Sequence, residues 1–193
     1  AISQDNMTST DQFISAFSWI KNRDATDNHM LFDRVRGINK DLHSNSTAAE
    51  VTDVETVQQF LSAGVQIGND AEVNTANESY VLWNWMMEAT GSGTLNEDGS
   101  IDSTVLVDTT LGVSVGAYTG NNTAGATVGH GLGVAPELVL YKNRDAAVYW
   151  LAYHKDITAD SYMFLNSSTA AADANVFNDT YPTSTNLVLG TDI

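Results

Sequence analysis

The sequence predicts an all-β protein built as an imperfect tandem repeat, and three observations support that prediction. The residues Lys-Asn-Arg-Asp-Ala occur at 21–25 and again at 142–146, an offset of 121 residues. Ser-Thr-Ala-Ala at 46–49 returns at 168–171, and segment 65–70 returns in similar form at 187–192, both at an offset of 122. Apolar and polar residues alternate along many segments, as they do in β-strands. Only two residues are Pro, whereas the Gly, Ser, Thr, Asn and Asp that tight turns use are abundant.

The first copy contains a predicted pair of strands around its Lys-Asn-Arg-Asp turn. The strand before the turn ends at Ile20, and Met30 and Phe32 share a face of the strand after it. Segment 50–60 carries apolar residues at helical spacing, which predicts a short helix that ends before Gly64.

The last strand of the first copy, Tyr80–Met87, has a single polar residue in its middle, Asn84. A strand with so few polar residues is predicted to be buried on both faces. We therefore expect Trp83 and Trp85 to pack in the core rather than to bind a ligand.

The second copy keeps the pattern of the first with different residues. Its strand 138–141 leads into the second Lys-Asn-Arg-Asp turn, and Leu151 and Tyr153 take the places of Met30 and Phe32. The second copy therefore keeps apolar residues at the positions that face the same side of the sheet, as a sheet core requires. Segment 112–119 predicts a further strand, whose buried face would hold Val113, Val115 and Ala117.

These patterns divide the chain into four parts. Residues 1–16 are polar, match nothing in the second copy and are interpreted as an N-terminal assembly segment or strand. Residues 17–90 form the first repeat and residues 101–193 the second, which is predicted to be truncated at its last strand. Between them, residues 91–100 carry Gly, Ser and Thr and predict a linker.

Each copy lacks one strand that the other copy has. The counterpart of Tyr80–Met87 would follow Ile193, and the counterpart of segment 112–119 would precede Ala1. An unpaired sheet edge readily pairs with another strand. We therefore expect either that the polypeptide continues beyond residue 193 or that a neighbouring subunit or domain supplies the missing strand.

The net charge of the chain indicates which classes of molecule we do not expect it to bind. The sequence has 24 acidic and 8 basic residues, which give a formal net charge of −16. Such a charge disfavours nucleic acid and anionic membrane surfaces as partners. The chain has no Cys, which excludes disulfides, thiolate catalysis and Cys-based zinc sites. No apolar run approaches the ~18 residues of a membrane span.

Calcium is the one metal that the sequence favours, and no other cofactor is expected. Calcium binds the oxygen atoms of Asp, Asn and backbone groups on loops. The candidate ligands lie in two loops, with Asp24 and Asp27 in one and Asn96 and Asp98 in the other. Turns without a metal use the same residue types and remain the alternative.

Three acidic residues, Glu50, Asp53 and Glu55, form the densest group of carboxylates in the chain. Retaining glycosidases place two carboxyl groups ~5–5.5 Å apart. On a strand, Glu50 and Asp53 would face opposite sides because they are three residues apart. Asp53 and Glu55 would share a face, but their segment has the weakest strand pattern. We therefore expect the chain not to be an enzyme.

Four residues are candidates for binding a sugar or a neighbouring subunit. Tyr149 and Trp150 lie near the start of a strand and carry aromatic faces that could stack on sugar rings. Arg23 and Arg144 lie in the two copies of the repeated turn. Because this turn recurs together with the strand before it, we expect the turn to stabilise the fold rather than to bind a sugar or a neighbouring subunit.

Several of these motifs, taken in order, resemble a repeat of tailed-bacteriophage virion proteins. The resemblance begins near Phe17 and is carried by segments 33–37, 80–83, 127–136, 142–145, 166–171 and 187–190. Such repeats occur in tail-fibre, tail-tip and capsid-surface proteins, especially of marine phages. The resemblance implies two jelly-roll-like, concanavalin-A-like (lectin-type) β-sandwich units.

The resemblance also implies a location on the virion surface. We expect a non-enzymatic structural component, a fibre, tail appendage or capsid decoration, that docks on other virion proteins and on copies of itself. The alternative is a carbohydrate-binding module that recognises host-surface glycan. A glycan hydrolase on the same fold is the third hypothesis.

Overall fold

The computed structural model describes residues 14–88, 91–169, 172–173 and 175–191. The chain divides into two compact units, unit 1 with residues 1–93 and 144–146 and unit 2 with residues 94–143 and 147–193. The division after Gly93 falls inside the segment that the sequence assigns to a linker. Most of the predicted N-terminal segment 1–16 lies outside the described residues, and its last three residues, 14–16, begin the first strand.

Unit 1 contains seven strands and one short helix in its described residues. They are β1 (Ile14–Asn22), β2 (Met30–Asp33), β3 (Lys40–His43), β4 (Val51–Thr52), β5 (Val57–Leu61), β6 (Gly64–Ile67), α1 (Ala71–Asn74) and β7 (Tyr80–Met87). Five of these strands form one sheet in the order β4-β3-β2-β1-β7, and β5 and β6 form a hairpin.

Unit 2 contains nine strands in its described residues. They are β8 (Thr94–Asn96), β9 (Ser103–Asp108), β10 (Val113–Tyr118), β11 (Ala126–Gly129), β12 (Leu138–Tyr141), β13 (Leu151–His154), β14 (Ser161–Phe164), β15 (Ala172–Asp173) and β16 (Asn186–Leu189). They pair in the orders β10-β9-β8, β11-β16 and β12-β13-β14-β15. The all-β class is therefore confirmed, with every ladder antiparallel between named strands.

Side chains of β1 point alternately to the two faces of the sheet, and the face that carries Ile20 packs on the core of unit 1. Ile20 packs with Met30 and Phe32 in one buried cluster, which also contains residues from the β5–β6 hairpin and α1. Phe32 has no solvent exposure. The prediction that Met30 and Phe32 share a core face is therefore confirmed. The complete buried cluster is Ile20, Met30, Phe32, Val57, Val65 and Val73.

Unit 2 has its own core, in which aromatic side chains are prominent. Tyr141 and Tyr153 lie in it, and the ring of Tyr141 is 5.2 Å from that of Phe177. Leu151 packs against the same cluster, as its equivalence with Met30 predicts.

The helix predicted for segment 50–60 is wrong. That segment forms β4, a turn and the start of β5, which pairs with β6. A helix would place Val54 and Val57 on one face, but Val54 is 60% exposed and Val57 is fully buried. β-branched residues and a hairpin closed by Gly64, whose φ is +136°, favour strand pairing instead.

The burial predicted for β7 is also wrong. Only Met87 is buried in this strand, and Trp83 is 46% exposed. The reason is position, because β7 is an edge strand of its sheet. The sequence shows that β7 is apolar but does not show which strands lie beside it.

The predicted strand 112–119 is confirmed as β10, but its side chains are half-buried rather than buried on one face. Val113, Val115 and Ala117 all keep partial exposure, and Tyr118 from the opposite face packs against the core. Two further strands, β8 and β9, complete this sheet. The first of them, Thr94–Asn96, lies within the predicted linker 91–100.

The two hairpins around the repeated turns have the same register. In the β1–β2 hairpin, Phe17 lies opposite Asp33 and Ile20 lies opposite Met30. In the β12–β13 hairpin, Leu138 lies opposite His154 and Tyr141 opposite Leu151. Each residue of the second hairpin is 121 positions after its equivalent in the first. Residues that the repeat aligns therefore pair with residues that the repeat also aligns.

Candidate functional site

Strand β1 pairs on both of its sides, with β2 on one and β7 on the other. The amide of Arg23 donates to the carbonyl of Ser79 at 2.8 Å, at the end of the β1–β7 ladder. Backbone groups in an antiparallel strand point alternately to its two sides. Phe17 and Trp19 therefore direct their amide and carbonyl groups toward β7.

Side chains of the first repeated turn hold the two residues that lead into β7. The amide of Ser79 donates to Asp24 Oδ2, and Asn22 Nδ2 donates to Glu78 Oε2, both at 2.5 Å. Asn22 Oδ1 accepts from the amides of Asp24 and Ala25. The backbone hydrogen bond from Ser79 lowers the pKa of Asp24. This turn therefore braces itself and also anchors the strand that completes the sheet.

An aromatic layer covers the face of the β1–β7 pair opposite the core. Trp19 meets Trp83 edge-to-face with ring centroids 5.7 Å apart, and Phe17 meets Trp85 in the same way at 5.1 Å. Trp19 Nε1 donates to His29 Nδ1 at 3.0 Å. Trp83 keeps nearly half of its surface exposed. The layer is thus packed within itself but open to solvent.

A groove of about 370 Å³ lies beside β7. Its lining consists of five consecutive β7 residues, 82–86, with Ala63 and Gly64 from the β5–β6 hairpin. Because consecutive residues of a strand point to opposite faces, a groove lined by all five follows the edge of the strand rather than one face.

Strand β12 pairs on one side only in the part of the chain that the structure describes. The amide of Lys155 donates to the carbonyl of Glu137 at 2.9 Å. With the observed register, the backbone of Val139 then faces β13, while the amides and carbonyls of Leu138 and Leu140 face the open side. The Leu138 side chain is 56% exposed and that of Leu140 is 39% exposed.

Charged residues flank both ends of β12. Lys155 Nζ contacts Glu137 Oε1 at 2.5 Å, which lowers the pKa of Glu137 and raises that of Lys155. At the other end, Lys142 Nζ donates to the carbonyl of Asn143 at 2.8 Å. Burial lowers the pKa of Lys142.

Arg144, from the second repeated turn, belongs to unit 1 and ends a chain of ionic contacts. Its guanidinium forms two hydrogen bonds of 2.8 Å with the carboxylate of Glu50. Glu50 also accepts from Arg36 at 3.3 Å, and Arg36 Nε lies 2.5 Å from Asp33 Oδ2. Burial opposes ionisation of Glu50, but the two guanidinium groups outweigh it and lower its pKa. The hydrogen bonds to Glu50 raise the pKa of Arg144.

The aromatic and basic binding candidates are not brought together in one site within a unit. Trp150 is only 6% exposed, so its ring is packed and does not offer a face for stacking. Tyr149 is 49% exposed, and its ring lies 4.7 Å from that of Phe164. Arg23 is exposed in unit 1, and Arg144 is engaged by Glu50.

The calcium candidates form turn hydrogen bonds. Asp24 accepts from Ser79, and Asp27 Oδ2 accepts from Asn22 Nδ2 at 2.7 Å. Asn96 Oδ1 accepts from the amide of Asp98 at 3.1 Å, and Asn96 Nδ2 donates to Asp98 Oδ2. The described residues contain no group of three or more His, Cys, Asp or Glu side chains placed to hold a metal ion.

The carboxylates considered for hydrolysis lie outside any strand face. Asp53 and Glu55 are in the turn between β4 and β5, where Asp53 Oδ1 accepts from the amide of Glu55 at 2.8 Å. Glu50 is held by two arginines. Nothing in this geometry pairs two carboxyl groups across a cleft, as far as the described side chains extend.

The repeat predicts that each copy lacks a strand, but it does not identify the residues that such a strand would contact. The signal was present in the repeat, because Leu138 and Leu140 align with Phe17 and Trp19, whose neighbours on β7 are large aromatic rings. Both leucines are exposed on a strand that, among the described residues, pairs on one side only.

A family model described as a domain of unknown function (DUF7483) matches residues 3–193, nearly the whole chain. The chain belongs to this DUF7483 family. No curated protein and no solved structure matches it. No helix in the described parts of the DUF7483 chain is both long and apolar enough to cross a membrane.

Replacing Glu50 tests the ionic contacts around Arg144. We expect Glu50→Gln to lower the free energy of unfolding at pH 7 by about 2 kcal/mol, because two buried or half-buried guanidinium groups lose their counter-charge. Since the pKa of Glu50 is lowered on folding, its contribution is present above the unfolded pKa and is lost as pH falls through the folded pKa. Urea unfolding of both proteins from pH 7 to pH 3 should therefore converge at the acid end.

Glu137→Gln is the matched control for this measurement. Glu137 also has an ion-pair partner, but its side chain is 69% exposed, and exposed pairs contribute little. An equal loss of stability in the two variants at pH 7, or a difference that does not shrink toward pH 3, would contradict the role assigned to Glu50.

Proposed function

We propose that this chain is a non-enzymatic structural component of a tailed-bacteriophage virion, a fibre, tail appendage or capsid decoration. It acts by docking on other virion proteins and on copies of itself. The resemblance of its ordered motifs to phage virion repeats supports the location. The observation that supports docking is the edge of β12 that no described strand pairs with, together with its two exposed leucines.

Open edges are a liability for a protein that works alone. Soluble proteins usually protect an edge strand with charge, proline or a covering element, because an exposed apolar edge leads to aggregation. Here β12 is a four-residue strand with charged residues at both ends, yet Leu138 and Leu140 on it are exposed. An edge of this kind is suited to a permanent neighbour, as in an assembly with many copies of each part.

The charge of the chain fits the same role. A net charge of −16 opposes nonspecific association with nucleic acid, which is also strongly negative. It also keeps the chain soluble before assembly, so that specific edge contacts rather than general attraction determine its partners.

The decisive test of this proposal is the location of the protein. Purified particles of a phage that encodes the chain should contain it in a fixed, multiple copy number after density-gradient centrifugation, as quantitative mass spectrometry would measure. Symmetric virion parts require such a number. Absence from particles, together with abundance in the soluble lysate, would overturn the proposal.

A carbohydrate-binding module is the second candidate, and the exposure of Trp83 favours it. Trp83 lies in the open aromatic layer beside Trp19 and Trp85, and exposed aromatic faces of this kind stack on sugar rings. If this candidate is correct, the chain binds a glycan and the layer provides the contact surface.

A glycan array separates the two candidates. The structural role predicts no sub-millimolar binding to any glycan, because the aromatic rings serve the packing of the layer. Sub-millimolar binding by the native chain that Trp83→Ala abolishes, and that Leu111→Ala at another exposed site leaves unchanged, would favour the carbohydrate-binding module.

A further inference from the structure

We propose that the open edge of β12 binds an antiparallel strand of the β7 type, supplied by a neighbouring polypeptide of the assembly. A β7-type strand is defined here as an extended apolar segment with two bulky side chains two residues apart. The inference rests on the proposed structural role, which supplies the neighbouring polypeptide. It adds which edge binds, in which direction and in which register.

The backbone of β12 is the first support. Leu138 and Leu140 direct their amide and carbonyl groups away from β13, so the edge offers two donors and two acceptors to a new strand. Their equivalents in unit 1, Phe17 and Trp19, direct the same groups toward β7. The open side of β12 therefore corresponds to the side of β1 that β7 occupies.

The register of β1 and β7 predicts the register of the new strand. Trp19 lies opposite Trp83 and Phe17 lies opposite Trp85. Transferred by 121 residues, the incoming strand places one bulky residue opposite Leu140 and the next bulky residue, two positions later, opposite Leu138. The order is reversed relative to β12 because the pairing is antiparallel.

Side-chain exposure supports the same register. In unit 1, the rings of Trp83 and Trp85 contact those of Trp19 and Phe17 at 5.7 and 5.1 Å. The aligned leucines of unit 2 are 39% and 56% exposed, on the face of β12 that points away from its core. Bulky side chains on the new strand would cover both leucines, and burial of apolar area favours the complex.

The direct probe is a peptide with the sequence of residues 78–88, labelled with fluorescein and titrated with the intact chain while anisotropy is recorded. In the intact chain, β7 already occupies the side of β1 that corresponds to the open side of β12. Of these two equivalent sides, the one on β12 has no partner among the described strands. We expect saturable binding. When Trp83 and Trp85 of the peptide are both replaced by Ser, we expect the affinity to fall at least tenfold. A tenfold fall corresponds to about 1.4 kcal/mol of binding free energy.

Variants of the chain determine which edge binds. Leu138→Lys with Leu140→Lys places charges on the edge and should weaken peptide binding at least tenfold, since charged side chains block strand addition. Leu111→Lys, at a leucine that is 52% exposed in a turn of unit 2, is the matched control and should bind like the native chain. Circular dichroism should be the same for all three proteins, because every replaced side chain is substantially exposed.

Three outcomes would overturn the proposal. They are absence of peptide binding, binding that the edge variant leaves unchanged, and a chain that is already a dimer which the edge variant dissociates. The last result would mean that β12 pairs with β12 of a second copy. Each outcome is measured on the isolated chain, so it is independent of whether the protein is found in particles.

Discussion

Antiparallel backbone pairing on both sides of β1 is the interaction on which unit 1 depends. It aligns Ile20 with Met30 toward the core and Trp19 with Trp83 on the opposite face. The side chains of the repeated turn then hold the start of β7. Backbone hydrogen bonds on one side alone would leave a row of unsatisfied amides and carbonyls exposed to any extended chain. In the described residues of unit 2, β12 has this one-sided arrangement, and the proposed function rests on that difference.

Much of the fold could be predicted from the sequence because the face of a strand on which a side chain lies depends only on its position along that strand. Met30 and Phe32 lie on one face of β2, and Leu151 and Tyr153 take the equivalent places on β13, 121 residues later. The apolar spacing of segment 50–60 fits a helix, whereas its pairing in strands, β4 with β3 and β5 with β6, determines its conformation. The partial exposure of the two tryptophans of β7 could not be predicted either, since an apolar strand at a sheet edge has the same sequence as one in its centre.

The candidate site was only partly visible in the sequence. The comparison of the two copies predicted a missing strand, but the residues that would meet it became identifiable only with the register of β12 and β13 and the exposure of Leu138 and Leu140. The ion pair between Glu50 and Arg144 was not predictable, because the residues are far apart in sequence and Arg144 appeared to be a turn residue. The same turn has different surroundings in its two copies, anchoring Glu78 and Ser79 in one and engaging Glu50 in the other.

The proposed function depends most directly on strand addition to β12 through the backbone of Leu138 and Leu140. Amide hydrogen exchange, measured by NMR on the chain with and without the 78–88 peptide, tests it residue by residue. We expect exchange at the amides of Leu138 and Leu140 to slow by about tenfold or more at saturating peptide. Exchange at Val139 and Tyr141, whose amides already bond to β13, should not change. Unchanged exchange at Leu138 and Leu140 under saturation would contradict strand addition at this edge.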